Sequence, residues 1–128
     1  PFTTTTEQVR LRVRRGQEAG NELLLPVVAA HPGLFPYAVN QTGELNTAST
    51  PASPGAVGVL YATGQGRNPE VRLELNGAAA ELLFAGPSPG AAGLLQINFR
   101  VPAQPGSYRV VLKIGSVESQ AGVALFVR

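Results

Sequence analysis

The sequence contains no cysteine, methionine or tryptophan, and all eight of its acidic residues are glutamate, so aspartate is missing as well. Each absence closes off a class of chemistry. Without cysteine there is no disulfide framework and no thiol nucleophile, and structural zinc sites lose their commonest ligand. Without aspartate, calcium loops lose the residue on which they lean most. One histidine, His31, and one lysine, Lys113, are the sole members of their kinds. A hydrolytic site needs a nucleophile and a base in partnership, and this inventory does not supply the pair. The expectation is a protein that is not an enzyme, with no catalytic residues, no cofactor and no metal.

Charge is scarce too. The net charge is +2 and only 14% of residues are charged, with Arg10, Arg12, Arg14 and Arg15 holding much of the positive charge in one place. A nucleic-acid footprint is normally denser and interleaved with aromatics, so no nucleic-acid partner is expected. No stretch approaches the roughly 20 apolar residues of a membrane span, so none is expected either.

What is present is the punctuation of an all-β protein. Fifteen Gly and eleven Pro separate short segments whose apolar residues recur at every second position. Val9 to Arg14 alternate apolar and arginine strictly, as a half-buried strand does. Glu70 to Leu75 alternate in the same way and run into Asn76-Gly77, a hairpin-turn dipeptide, with Ala80 to Phe84 expected as the returning strand. Leu95, Ile97, Phe99 and Val101 make one apolar face before Pro102 ends the strand, and Tyr108, Val110, Leu112 and Ile114 make another. Val57 to Tyr61, Val123 to Val127 and a weaker segment at Tyr37-Ala38-Val39 bring the total to seven or eight strands at the spacing of a sandwich. The fold class expected is an immunoglobulin-like antiparallel β-sandwich with an extra N-terminal β-hairpin.

The chain divides at about residue 30. Residues 1–30 form a Thr-rich start and the hairpin, and residues 31–128 form the sandwich. Laying Gly16 on Gly115, an offset of 99 residues, places Val9, Leu11, Val13, Arg14, Val27 and Val28 on Tyr108, Val110, Leu112, Lys113, Phe126 and Val127. One hairpin pattern thus occurs twice, and the first copy reads as the closing hairpin of an upstream module or as an assembly element. Ala29 to Pro36, which carries His31, is a Pro-stiffened connector. Asn46 to Pro54, rich in Thr, Ser, Ala and Pro, reads as an exposed loop.

The hairpin carries the candidate site. Val9, Leu11 and Val13, with Leu23, Leu24 and Leu25 on the partner strand, make an apolar surface that an isolated hairpin cannot keep in water. Burying six such side chains is worth on the order of 10 kcal/mol before entropy is charged. The partner expected is therefore another copy of the chain, joined head-to-tail by strand addition, or an adjacent domain of the same polypeptide.

Other motifs carry less. Gly64-Gln65-Gly66 lacks the following helix and Lys-Ser/Thr pair of a phosphate loop and reads as turn glycines. Glu70, Glu74 and Glu81 fall on solvent-facing strand positions, which explains them without glycosidase chemistry. Asn40-Gln41-Thr42 is a sequon, making Asn40 a candidate glycosylation site, and Thr3 to Thr6 could accept O-linked sugars. An alternative role, binding surface glycans as an accessory module, would need exposed aromatic platforms. Of Tyr37, Tyr61 and Tyr108, the last two are expected on buried strand faces.

Pro32-Gly33-Leu34-Phe35, Tyr61-Ala62-Thr63-Gly64-Gln65-Gly66, Phe84-Ala85-Gly86-Pro87 and Gly93-Leu94-Leu95-Gln96-Ile97-Asn98-Phe99-Arg100-Val101-Pro102 form an ordered string of marks. Over residues 8 to 128 it resembles the Solibacter-type C-terminal domain, an immunoglobulin-like module at the ends of large secreted bacterial proteins. The resemblance implies an extracellular location, a β-sandwich and no catalytic residues. In that family the closing hairpin of an upstream module precedes the Pro-Gly-aromatic connector, as residues 8 to 30 read here. The start at Pro1-Phe2 departs from members that continue back into a complete upstream domain.

Overall fold

The computed structural model describes residues 7–15, 18–27, 32–66 and 70–128, the first two stretches as backbone. Strands β1 (Glu7–Arg15) and β2 (Glu18–Val27) pair antiparallel as a sheet of their own. The rest of the strands build two antiparallel sheets. One contains β3 (Gly33–Leu34), β4 (Val57–Thr63), β7 (Leu82–Pro87) and β8 (Leu95–Arg100), in the order β3-β4-β8-β7. The other contains β5 (Val71–Leu75), β6 (Ala78–Ala79), β9 (Gly106–Ile114), β10 (Val117–Glu118) and β11 (Ala124–Val127). Its order is β10-β9-β5-β6, and β11 also pairs with β9. Among the described residues there is no helix. The molecule is an all-β sandwich, as its alternating pattern predicts.

One apolar core lies between the two sheets. From the first sheet, Leu60 opposes Ile97 and Ala62 opposes Leu95; from the second, Leu73 opposes Leu112 and Leu75 opposes Val110. All eight are buried, because directly opposed residues share a face and each of these pairs faces the other sheet. Gly58 opposes Phe99, and a Cβ at position 58 would lie 2.5 Å from the Phe99 ring. Glycine there lets the largest fully buried side chain lie directly on the β4 backbone.

The turn at Asn76-Gly77 forms as expected, with φ of 52° and 83° joining Leu75 to Ala78. The returning strand does not. β6 lasts two residues, Ala80 N–H donates to Leu73 O, and Glu81 O accepts from Arg100 N–H, so the chain crosses between the sheets at positions 80 and 81. Beyond β6, β5 has only Val71 to Leu73 left to offer a partner, whereas β8 offers its full length to β7. The crossing also sets Leu82 opposite Phe99 at the core. The weak candidate at residues 37–39 is reduced to isolated bridges from Val39 to Val59 and Leu45.

Two side-chain amides stand in for missing ladder partners. Asn46 lies in the segment expected to be an exposed loop, yet it is fully buried. Its Oδ1 accepts from Phe126 N–H at 2.7 Å, while its Nδ2 donates to Phe126 O at 2.8 Å and to Asn40 Oδ1 at 2.9 Å. Ala52 continues this cover with a parallel bridge to Val127. The reason is the edge of β11, whose backbone groups would otherwise go unpaired. Gln120 does the same for β3: its Oε1 accepts from Leu34 N–H at 2.9 Å and its Nε2 donates to Leu34 O at 2.7 Å.

Candidate assembly and binding surfaces

The hairpin comes first, because it holds the residues singled out by sequence. Val9 opposes Leu25 and Leu11 opposes Leu23, so four of the six apolar positions fall into two directly facing pairs. Leu24 opposes Arg10, which places it in the alternate row. Val13 lies where the register shifts, between Arg12↔Glu22 and Arg14↔Ala19, so one residue of β1 stands against two of β2, Gly20 and Asn21.

The repeat at an offset of 99 residues extends to backbone pairing. Arg15↔Glu18 corresponds to Ile114↔Val117, and Arg14↔Ala19 to Lys113↔Glu118. Both hairpins then gain residues on the second strand at the equivalent point, between Ala19 and Glu22 in one and between Glu118 and Ala124 in the other. Position 31, the lone histidine, and positions 3–6 lie outside the described residues.

The outer face of the four-stranded sheet is the second surface. Since Gly58, Leu60 and Ala62 face inward, Val57, Val59 and Tyr61 face out. This reverses the expected orientation of Tyr61, and the cause is Phe99, which needs the glycine beneath it. Tyr61 opposes Gln96, which opposes Gly86; Val59 opposes Asn98, which opposes Phe84. The Phe84 ring folds over Gly86, where a Cβ would come within 3.1 Å of it. Phe35 lies beside Tyr61 with ring centroids 6.3 Å apart. Phe84 is 43% exposed, Phe35 44% and Tyr37 50%. Between the aromatic groups, Gln96 Nε2 donates to Asn98 Oδ1 at 3.1 Å. Tyr108, expected to be buried, is half-buried against the core, and its hydroxyl donates to Gln104 O at 2.7 Å.

The outer face of the other sheet is ionic. Lys113 Nζ lies 2.8 Å from Glu74 and 3.4 Å from Glu118. Hydrogen bonding to Lys113 holds the Glu74 carboxyl below its ordinary pKa, and the same bond raises Lys113. Glu74 stands on the outward row that its alternation predicts, yet only 8% of it is exposed. It lies between Val111 and Ala79 in the ladder, with Lys113 over it. Glu70 and Glu81 are exposed, and Glu81 lies 3.6 Å from Arg100.

Asn40 has 7% of its surface exposed, and its Nδ2 donates to Thr50 O at 2.8 Å. A sugar on that nitrogen would replace one of its two N–H groups, on a side chain that is almost wholly buried. Gly64 and Gly66 have φ of 82° and 64°, as turn glycines do. Among the described residues no three His, Cys, Asp or Glu side chains gather as a metal site would need, and no helix is long and apolar enough to cross a membrane. No protein-family model, no curated protein and no solved structure matches this chain.

Sequence reasoning missed Asn46 and Gln120, whose partners stand 80 and 86 residues away along the chain. It also missed the aromatic face. The available signal was Gly58 in the middle of an apolar run, which marks a close approach by a large residue.

Proposed function

We propose that this chain is a non-catalytic extracellular structural module of the immunoglobulin class that joins head-to-tail to other copies through its N-terminal hairpin. The observation that carries the reading is the hairpin itself. β1 and β2 form a two-stranded sheet in which Val9 faces Leu25 and Leu11 faces Leu23. Two strands alone are marginal in water, and a hairpin rich in apolar residues gains stability when another surface covers it. The likeness of this hairpin to β9 and its partners supports the idea that it completes a sandwich other than its own.

The class assignment draws on strand order. Numbering only the principal strands from β3 onward, one sheet runs first, second, fifth, fourth, and the other third, sixth, seventh, which is the order of the constant-type immunoglobulin sandwich. The Tyr108 hydroxyl bonded to Gln104 O at the start of β9 has the form of the tyrosine corner found there. These features also support the resemblance to the Solibacter-type domain, and with it export from the cell.

The test is sedimentation velocity and electron microscopy of the full chain at rising concentration. Open-ended oligomers that grow into fibres are expected for the native sequence, and monomers for the double substitution Leu11→Lys with Leu23→Lys. A native chain that stays monomeric at the highest concentration would overturn the proposal.

A further inference from the structure

Beyond assembly, we infer that the outer face of the four-stranded sheet binds a neutral polysaccharide, stacking sugar rings on Tyr61 and Phe84 and bonding their hydroxyls through Gln96 and Asn98. The geometry comes from the ladder. Tyr61 is on β4 and Phe84 on β7, with β8 between them, so the two strands that carry the rings are two interstrand steps apart, about 9.5 Å. The Phe84 ring leans over Gly86 into the row that holds Tyr61 and Gln96. That row therefore reads aromatic, amide, aromatic, and Asn98 adds a second amide at its side. Tyr61 packs beside Phe35, and the Phe84 ring lies over Gly86, where the absence of a Cβ leaves room for it.

The chemistry of the row selects the ligand. A pyranose ring offers C–H groups on its faces, which stack on aromatic rings, and hydroxyls around its rim, which suit neutral amides that both donate and accept. Gln96 donates to Asn98 and accepts from Ser88 Oγ at 3.3 Å. Each carboxamide has two N–H donors and an oxygen with two lone pairs, so both keep capacity for further bonds. An apolar protein surface laid on the same face would cover those amides without satisfying them, which is unfavourable. Charge points the same way: β3, β4, β7 and β8 together carry one charged residue, Arg100. Arg100 is already engaged, donating to Gly55 O at 3.0 Å and lying near Glu81. An anionic polymer would find no row of cations there.

The experiment is affinity gel electrophoresis of the full chain in gels containing dextran, mannan, xyloglucan or alginate. Retardation by one or more of the three neutral polymers and none by alginate is expected. Tyr61→Ala and Phe84→Ala should each weaken the interaction about tenfold or more, as expected from the loss of about 1.4 kcal/mol per decade. Asn98→Ala should weaken it as well, and thermal melts of all three variants should stay close to the native one. Migration unchanged by every neutral polymer would overturn the inference, as would retardation that persists in the Tyr61→Ala, Phe84→Ala double variant. So would the finding that Phe84→Lys dissolves oligomers of a chain that binds no polymer, because the face would then be a contact between copies. None of these results depends on the hairpin, so assembly and sugar binding fail or succeed separately.

Discussion

The two outer faces of this sandwich differ in almost everything except the strand geometry beneath them. The strands β5, β9, β10 and β11 carry Arg72, Glu74, Arg109, Lys113 and Glu118, whereas β3, β4, β7 and β8 carry only Arg100. The charged face follows the ordinary rule for a sheet with one side in water, alternating core and solvent residues. The other face breaks it by turning Val57, Val59 and Tyr61 outward. The lesson is that the side of a strand that faces inward is settled by fit to its neighbours, not by hydrophobicity alone. In β4 both alternate sets are apolar, and only one of them leaves room for Phe99.

That account can be broken at Gly58. Gly58→Val would drive two methyl groups into a ring that already lies 2.5 Å from where a Cβ would stand. Relief requires moving Phe99, which is fully buried, or shifting β4 against β8. A loss of about 3 kcal/mol is expected, at the upper end of overpacking effects, measured as a fall in the urea midpoint. Val59→Thr, one position along on the outward face, should change stability by no more than about 0.5 kcal/mol. Equal losses at the two positions would refute the view that fit to Phe99 orients the strand.

A slightly smaller effect is expected on the charged sheet, at the edge where Asn46 pairs with Phe126. Asn46→Ala removes the acceptor for Phe126 N–H and one of the donors to Phe126 O, and it removes the donor to Asn40 Oδ1. Ala52 N–H still donates to Phe126 O at 2.8 Å, so the amide N–H of Phe126 and Oδ1 of the buried Asn40 are the groups that lose their partner. A cost of about 2 kcal/mol is expected, together with faster amide exchange at Phe126. Unchanged exchange there would mean that the edge is held by other contacts.

Much of this architecture was legible in the sequence, and the gaps have physical causes. Asn76-Gly77 marked its turn because few dipeptides accept two positive φ values in succession. The inward faces of β8 and β9 were legible because their apolar residues alternate with Gln96, Asn98 and Arg100, and with Arg109 and Lys113. β7 was mistaken for a hairpin return because local pattern cannot reveal that β5 runs out of length while β8 has a full edge to offer. Asn46 fell in a segment that reads as an exposed loop and nothing in the sequence singled out Gln120, since a buried amide and a solvated one are the same letter. Of the candidate site, the pairing of Val9 with Leu25 and of Leu11 with Leu23 follows from alternation about the turn, whereas the placement of Val13 depends on a register shift that alternation does not predict.

The smallest effect sharpens the comparison most, because it asks whether the charged face contributes to folding or merely faces water. Glu74 titrates below its ordinary value of 4.5 when folded, owing first to its hydrogen bond with Lys113. A depressed carboxyl favours the folded state above the unfolded pKa, and that contribution is lost as pH falls below 4.5 through the depressed folded value. Lys113 is raised above 10.5 by the same bond, so its contribution is present below 10.5 and disappears as pH rises through the raised value. The native chain should therefore lose stability at both extremes, and Glu74→Gln should flatten the acid limb measurably. Glu81, on the neutral sheet's flank, is the control, since its side chain is 66% exposed and its carboxylate lies 3.6 Å from Arg100. Exposed pairs of that kind contribute little, so Glu81→Gln should leave the acid limb as it was. If the two substitutions flatten it equally, the ionic cluster over β5 and β9 has no special place in folding, and the contrast between the two faces is one of binding chemistry alone.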